Sequence, residues 1–301
     1  MKTAVSAASG RLGHAVLHAL LADTAAENMV AIARSPDKVQ VAGIEKRAGD
    51  YNSIEGMATA LTGVDALVMI SAPVGDWDRV ELHRNVIAAA GDAGVRKMVF
   101  TSVIGNGQEQ DTWFWGTQQV NRKSEADLKS SGLEWVIARN GLYLELDLRH
   151  IIHANGSGVY RNVGGQGKCG YITINELAFA IAKLAQDDRH NGKTFNLVGP
   201  SLSQAMLVQL ANEVLGLKVR YETLSDEENV ALLMKDKKIA ARGVDVARML
   251  TGCFQCVRNG AFDVPSDFEA AAGRPVKTTR QMMEELRVDL ADQIRSVQHQ
   301  T

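Results

Sequence analysis

Cysteine occurs only three times in the 301 residues, at Cys169, Cys253 and Cys256. Three thiols cannot build the disulfide framework of a secreted domain, and they point to a reducing, cytoplasmic setting. Proline is nearly as scarce, with five residues, while 46% of the chain is apolar, so it reads as a well-packed globular protein. There is no charge excess either: 33 basic residues face 35 acidic ones. A general nucleic-acid surface normally demands a basic excess, so no nucleic-acid partner is expected. No apolar run approaches the ~18 residues that span a bilayer, and the first residues lack the basic region and apolar core of a signal peptide. No membrane partner is expected.

What is present is a rhythm. Lys2 to Ser6 reads as a short strand, and Leu12 to Leu21 has helical spacing. Met29 to Ala33 is a second strand, followed by Ser35-Pro36, a cap with proline at a helix's first turn. Asn52 and Glu55 are spaced as a capping box for a helix ending near Gly63. Val64 to Ser71 and Arg96 to Ser102 are β-rich and flank a helix over Arg79–Ala93. A helix near Gln119–Ser130 leads into a strand at Glu134–Arg139. Near-continuous apolar strands alternating with helices predict a Rossmann-type α/β fold, a doubly wound parallel sheet covered on both faces. After Asn140 the glycine-rich stretch from Gly156 to Gly170 reads as loops with short strands. A helix at Asn175–Gln186 and a strand at Thr194–Val198 return to the sheet, and the rest is mainly helical apart from a strand at Lys218–Glu222. The expected plan is a dinucleotide-binding domain over residues 1–150, completed by about 171–200. A smaller, mainly helical substrate-side domain takes 201–301 with 151–170, and the substrate lies at the junction.

The first strand runs into Ala7-Ala8-Ser9-Gly10-Arg11-Leu12-Gly13, the spacing of a glycine-rich dinucleotide turn with alanine in first place. Such a turn brings backbone N–H groups and a helix start against a pyrophosphate. Gly10 permits that approach, Gly13 permits tight packing of the helix, and Ala7 serves if its φ is negative. The second strand ends Ala33-Arg34-Ser35 with no carboxylate for a ribose. A guanidinium grips a 2′-phosphate instead, so Arg34, with Ser35 and Lys38 in support, selects NADP(H). Asp50 and Tyr51, after the third strand, either flank the adenine or form a turn. By position Ser71, Ala72 and Pro73 pass near the nicotinamide ribose, and Thr101 and Ser102 end the fifth strand at the carboxyl edge, where ligands bind such sheets.

The string Ser6 to Gly13, Ala33 to Pro36, Gly49-Asp50-Tyr51, Asn85 to Ala90, Ala93 to Lys97, Thr101-Ser102 and Ser131 to Trp135 together resemble the NmrA-like, atypical short-chain dehydrogenase family. Ala138-Arg139-Asn140-Gly141-Leu142-Tyr143 is similar to its branch of type 2 quinone and triphenylmethane dye reductases. The resemblance covers about residues 1–216. It implies an NADPH-dependent reductase that passes a hydride to a quinone or similar conjugated acceptor, and it supports roles for Asn140 and Tyr143. Lys123 lies near where some relatives carry a catalytic lysine; the competing reading is a solvated helix face, and Arg122 competes for the position.

None of the five tyrosines has a lysine four residues on, so the usual Tyr-x-x-x-Lys carbonyl-reducing dyad is missing. A quinone or cationic dye absorbs the hydride's electrons into its conjugated system and needs mainly proximity and orientation. The same absence agrees with a non-catalytic NADP(H)-sensing regulator, and speaks against a sugar epimerase. Trp113-Phe114-Trp115 either stacks on a flat acceptor or makes a core or homodimer contact. His83 either faces the cleft or is structural. Cys253 and Cys256 form a formal C-x-x-C outside any thioredoxin-like context and without further zinc ligands, and read as structural thiols.

Overall fold

The computed structural model describes residues 1–73 and 78–298, with side chains through Ile294. The strands are β1 (Thr3–Val5), β2 (Met29–Ala33), β3 (Glu45–Ala48), β4 (Ala66–Met69), β5 (Lys97–Val103), β6 (Glu134–Asn140), β7 (Leu142–Tyr143), β8 (Val159–Asn162), β9 (Lys168–Ile172), β10 (Lys193–Leu197), β11 (Ser201–Ser203) and β12 (Arg220–Thr223). Between them run α1 (Arg11–Leu21), α2 (Ile54–Ala60), α3 (Arg79–Asp92), α4 (Trp115–Lys129), α5 (Leu144–Ala154), α6 (Ile174–Gln186) and α7 (Gln204–Leu215). The chain closes with α8 (Asp226–Leu233), α9 (Lys237–Ala240), α10 (Val244–Arg258), α11 (Phe268–Ala272), α12 (Thr279–Asp289) and α13 (Ala291–Gln298).

Seven strands form one parallel sheet in the order β10-β6-β5-β4-β1-β2-β3. The order reverses at β1, so a crevice opens between the loops after β1 and β4 at the carboxyl edge. Strands β1, β2 and β4 are buried along their whole length, which is why they read as unbroken apolar runs. Strand β3 (Glu-Lys-Arg-Ala) is the exposed edge. Its Glu45 is held down at about 2 by Arg47 and by Lys2. At the opposite edge, the Asn196 N–H donates to Asp267 Oδ2 and the Asn196 carbonyl accepts from the Asp267 N–H. Both edges are thereby blunted.

One face of the sheet packs against α1 and α6, where Val16, Leu17 and Leu20 are fully buried, each contributing about 2 kcal/mol. The same apolar core continues without a break into residues from α7, α10, α11 and α12. A second core, built on Met57, Leu61, Val86, Ala89 and Leu128, covers the other face with α2, α3 and α4. Outside the main sheet stand β11-β9-β7 and the pair β12-β8. Asp147, Tyr160, Asn162, Tyr171, Gln204 and Tyr221 form a buried polar network there. Tyr160 Oη donates to Asp147 Oδ1 at 2.6 Å, Gln204 Nε2 to Tyr171 Oη at 2.6 Å, and Tyr221 Oη to Asn162 Oδ1 at 2.8 Å.

Three local expectations change. Ser35-Pro36 opens a single 3-10 turn, Pro36–Lys38, rather than a helix. The cap of α2 is Ser53, whose hydroxyl accepts from the Gly56 N–H, while Asn52 bonds Asp50 instead. Helix α4 begins at Trp115, four residues before the apolar spacing indicates. No helix of the described residues is long and apolar enough to cross a membrane.

Candidate active site

The turn after β1 is built around Ala7. Its φ is +49°, left-handed, and it is the one non-glycine residue with positive φ among the described residues. The condition of a negative φ is therefore not met: the turn demands the geometry that glycine usually supplies, and alanine adopts it at a cost of about 1–2 kcal/mol. Neighbouring bonds hold it there. The Ser6 N–H donates to the Val68 carbonyl, the Ala8 N–H to the Ile32 carbonyl, and the Gly10 N–H to the Ala7 carbonyl at 2.9 Å. A β-carbon at residue 13 would stand 2.6 Å from that same carbonyl oxygen, so only glycine lets α1 start so close to the turn. Helix α1 has Gly10 as its cap, no side-chain acceptor on its first amides and no acid in its first turn. Ser9 and Arg11 are exposed and Leu12 is buried. A helix start left open in this way fits a pyrophosphate.

Arg34 and Lys38 are exposed after β2 and make no hydrogen bond or ion pair through their side chains among the described residues. They fit a 2′-phosphate at that corner, whereas a ribose-binding acid is absent from the end of the strand. Asp50 accepts from Asn52. Tyr51 reaches inward: its hydroxyl lies 2.5 Å from Ser6 Oγ and donates to the Ile70 carbonyl at 2.7 Å, tying β1 and β4 together beneath the crevice.

The loop after β4 is fixed by side chains. The Ser71 N–H donates to Thr101 Oγ1 at 2.9 Å, and the Ala72 N–H donates to His83 Nε2 at 2.9 Å. Because Nε2 accepts, His83 is the neutral Nδ1–H tautomer, and Nδ1 lies 2.7 Å from Ser124 Oγ. Burial and the nearby Arg79 charge push its pKa down to about 3. His83 is a strut under Ser71–Pro73, fully buried, with its ring edge-on to Phe100. Thr101 serves the same loop, so its hydroxyl is already engaged.

Ser102 belongs to a cluster that sequence spacing does not display. Its hydroxyl donates to Glu125 Oε1 at 2.6 Å, where Arg122 Nη1 (2.6 Å) and Arg139 Nε (2.9 Å) also donate, while Arg139 Nη2 reaches Oε2 at 2.6 Å. Burial pushes the Glu125 carboxyl up, but Arg139 and Arg122 outweigh it and hold the group below its ordinary value. The cluster pins α4 to the ends of β5 and β6. Lys123, one residue on, is exposed and has no partner among the described residues, so α4 turns Arg122 inward and leaves Lys123 on its solvated face. Nearby, Glu109 Oε2, Gln118 Oε1 and Arg122 Nη2 are buried without partners.

Asn140 ends β6, buried, with its Oδ1 lacking a partner. Tyr143 caps α5, and burial pushes its phenol pKa up, opposed by the Asn140 amide and the Arg11 charge. The residue after the cofactor turn and the residues after β6 therefore share one electrostatic neighbourhood. The other four phenols are all engaged within the protein. The Trp113–Trp115 string divides: Phe114 is buried edge-on against Phe262, while Trp113 and Trp115 stay 41% and 37% exposed. The thiols of Cys253 and Cys256 are pushed up by burial, Cys256 to about 12, which leaves them protonated and unreactive at neutral pH. No group of three or more His, Cys, Asp or Glu among the described residues could hold a metal ion.

Comparison with known proteins agrees with this geometry. Residues 7–187 match the model of a family described as NAD(P)H-binding, a span that starts in the Ala7 turn and ends after α6. The chain belongs to this NAD(P)H-binding family. Quinone oxidoreductase 2 of Escherichia coli (strain K12) is 33% identical over 291 residues, covering 94% of this chain and 98% of the relative. The NADPH-dependent quinone oxidoreductase of Escherichia coli, solved with NADPH, superposes with a TM-score of 0.85 at 29% identity, covering 94% of this chain and 99% of the other. Triphenylmethane reductase of Citrobacter sp., solved with NADP(H), gives 0.84 at 27% identity, covering 95% and 99%. These relatives set the family member among NAD(P)H-dependent oxidoreductases.

Proposed function

We propose that the protein reduces a quinone or a similar conjugated acceptor with NADPH, by direct hydride transfer across the crevice beyond β1 and β4–β6. The observation that carries this reading is the pairing of Asn140, with its unpartnered buried oxygen, and Tyr143, beside the Arg11 end of the cofactor turn. These groups can orient a flat acceptor without taking part in proton transfer. NADPH, when bound, supplies the hydride. The backbone of the Ala7–Gly13 turn with Ser9 and Arg11 holds the pyrophosphate, Arg34 and Lys38 the 2′-phosphate, and Asp50 borders the adenine side. The rigid Ser71–Pro73 loop supports the nicotinamide side. The half-exposed faces of Trp113 and Trp115 suit a planar acceptor. Loss of NADPH absorbance against a panel of quinones, triphenylmethane dyes and enones tests the reading. Turnover with at least one class is expected; binding of NADPH with no turnover against any acceptor favours the regulator instead.

A further inference from the structure

Arg79 is the only arginine that is buried among the described residues, at 8% exposure. It opens α3, and its Nε donates to the Ala72 carbonyl at 2.9 Å. It has no carboxylate partner among the described residues. The neighbouring Asp78 turns its Oδ1 to the Val80 and Glu81 amides, Glu81 is exposed, and Arg84 further along the helix pairs with Asp127. The other buried cation, Lys97, has Asp188. Arg122 and Arg139 share Glu125, and Arg274 holds Glu176. Among the described residues Arg79 alone is a buried arginine with no carboxylate facing it, and burial pushes its pKa down. Neither terminal nitrogen is among the buried, partnerless side-chain atoms of the described residues.

A desolvated guanidinium without an anion is a standing cost, which an arriving anion offsets. The place of Arg79 narrows the choice of anion. Strand β4 lies beside β1 on the side away from β2, so the Ala72 segment that Arg79 braces lies across β1 from Arg34 and the 2′-phosphate corner. Arg79 adjoins Ala72, in the segment under the nicotinamide side, and its Nε–Ala72 bond leaves the terminal pair as a two-pronged donor.

We propose that Arg79 binds the acceptor oxygen on which negative charge collects during reduction, and so confers preference for acceptors that carry or develop an oxyanion. This rests on the quinone-reductase reading above. Hydride addition breaks the donor's C–H bond and delivers two electrons and one hydrogen to the quinone. The acceptor is left as a hydroquinone monoanion, which takes its second proton from solvent water. Arg79 faces that monoanion and holds no proton of the reaction itself. It therefore supplies electrostatic stabilisation where the site has no tyrosine–lysine pair.

The test uses the full chain with saturating NADP⁺ and two probes, 2-hydroxy-1,4-naphthoquinone, an anion at neutral pH, and its neutral 2-methoxy ether. The parent is expected to bind the anion at least about tenfold more tightly than the ether. Arg79→Met loses that preference, Arg79→Lys keeps part of it, and NADPH affinity is unchanged in both. In single-turnover reduction of neutral 1,4-naphthoquinone, Arg79→Met slows hydride transfer on the order of 10²-fold. If Arg79→Met does not fold, Arg79→Gln keeps a donor for the Ala72 carbonyl without the charge and carries the same comparison. No anion preference in the parent, or one that survives the substitution, overturns the proposal. So does a fall in NADPH affinity with the anion preference intact, which makes Arg79 a partner of the pyrophosphate. An Arg79-dependent anion preference in a parent that reduces no quinone supports the anion site while removing the reductase reading.

Discussion

The Ala7 carbonyl oxygen lies 2.6 Å from where a β-carbon on residue 13 would stand, so the left-handed turn at Ala7 and the bare backbone at Gly13 form one steric unit. The two positions respond oppositely to substitution. Ala7→Gly relieves the φ of +49° and should stabilise by roughly 0.5–1 kcal/mol after the extra freedom of the unfolded chain is counted. Gly13→Ala should cost at least about 2 kcal/mol, because backbone rather than a flexible side chain must move. Urea titration of both variants checks this; equal effects would separate the two residues.

Arg34 should decide between the two cofactors. Its guanidinium is exposed and makes no hydrogen bond or ion pair among the described residues, so it is available to a 2′-phosphate. Arg34→Ala is expected to weaken NADPH by on the order of 10-fold or more, while leaving NADH unchanged. Calorimetry with both reduced cofactors measures it, and an unaltered NADPH preference sinks the assignment.

Tyr143 should act through shape. Tyr143→Phe is expected to keep most of the single-turnover hydride-transfer rate, and Tyr143→Ala to lose acceptor binding by about tenfold or more. A collapse of the hydride step in Tyr143→Phe, with acceptor binding intact, would make the phenol a proton donor. Indifference to both changes would move the acceptor elsewhere.

Asp147 should make the stability of the fold fall as pH rises. Burial pushes its carboxyl up, against the hydrogen bonds from Tyr160 and Tyr171. A raised folded-state pKa contributes stability that is fully present below the unfolded value and is lost as pH rises through the folded one. Asp147→Asn keeps an acceptor for Tyr160 without the ionisation. The parent's stability relative to Asp147→Asn should therefore decline from about pH 4 upward, as read by denaturant titration across pH. A constant difference would show that the carboxyl ionises alike in both states.

The sheet was legible because β1, β2 and β4 bury both faces and so spell apolar runs, and β5 and β6 carry apolar centres. Strand β3 was legible only by its place before Asp50-Tyr51 and not by its pattern, because an edge strand carries Glu45, Lys46 and Arg47 where water and cross-strand charges replace packing. The turn's glycine spacing was visible, whereas the sign of φ at Ala7 follows from how β1 meets α1 in space. Lys123 attracted notice by its place on the helix, but a one-residue register separates it from Arg122, and only the packing of α4 chooses between them. The Ser102–Glu125–Arg139 cluster and the His83 strut join residues far apart in the chain, and no local pattern announces them. Arg79 read simply as a helix start, since its distinction is the partner it lacks.

The blunted margins of the sheet also govern how copies of this molecule can meet. Two β3 strands brought together antiparallel about Lys46 would set that lysine against its own copy, a repulsive pairing in an already charged row. At the far side the Asp267 clasp occupies the amide and carbonyl of Asn196 that an incoming strand would require. Strand addition to the seven-stranded sheet is thus disfavoured at both margins. A second copy that docks on this sheet is therefore directed to its helix-covered faces rather than to its margins.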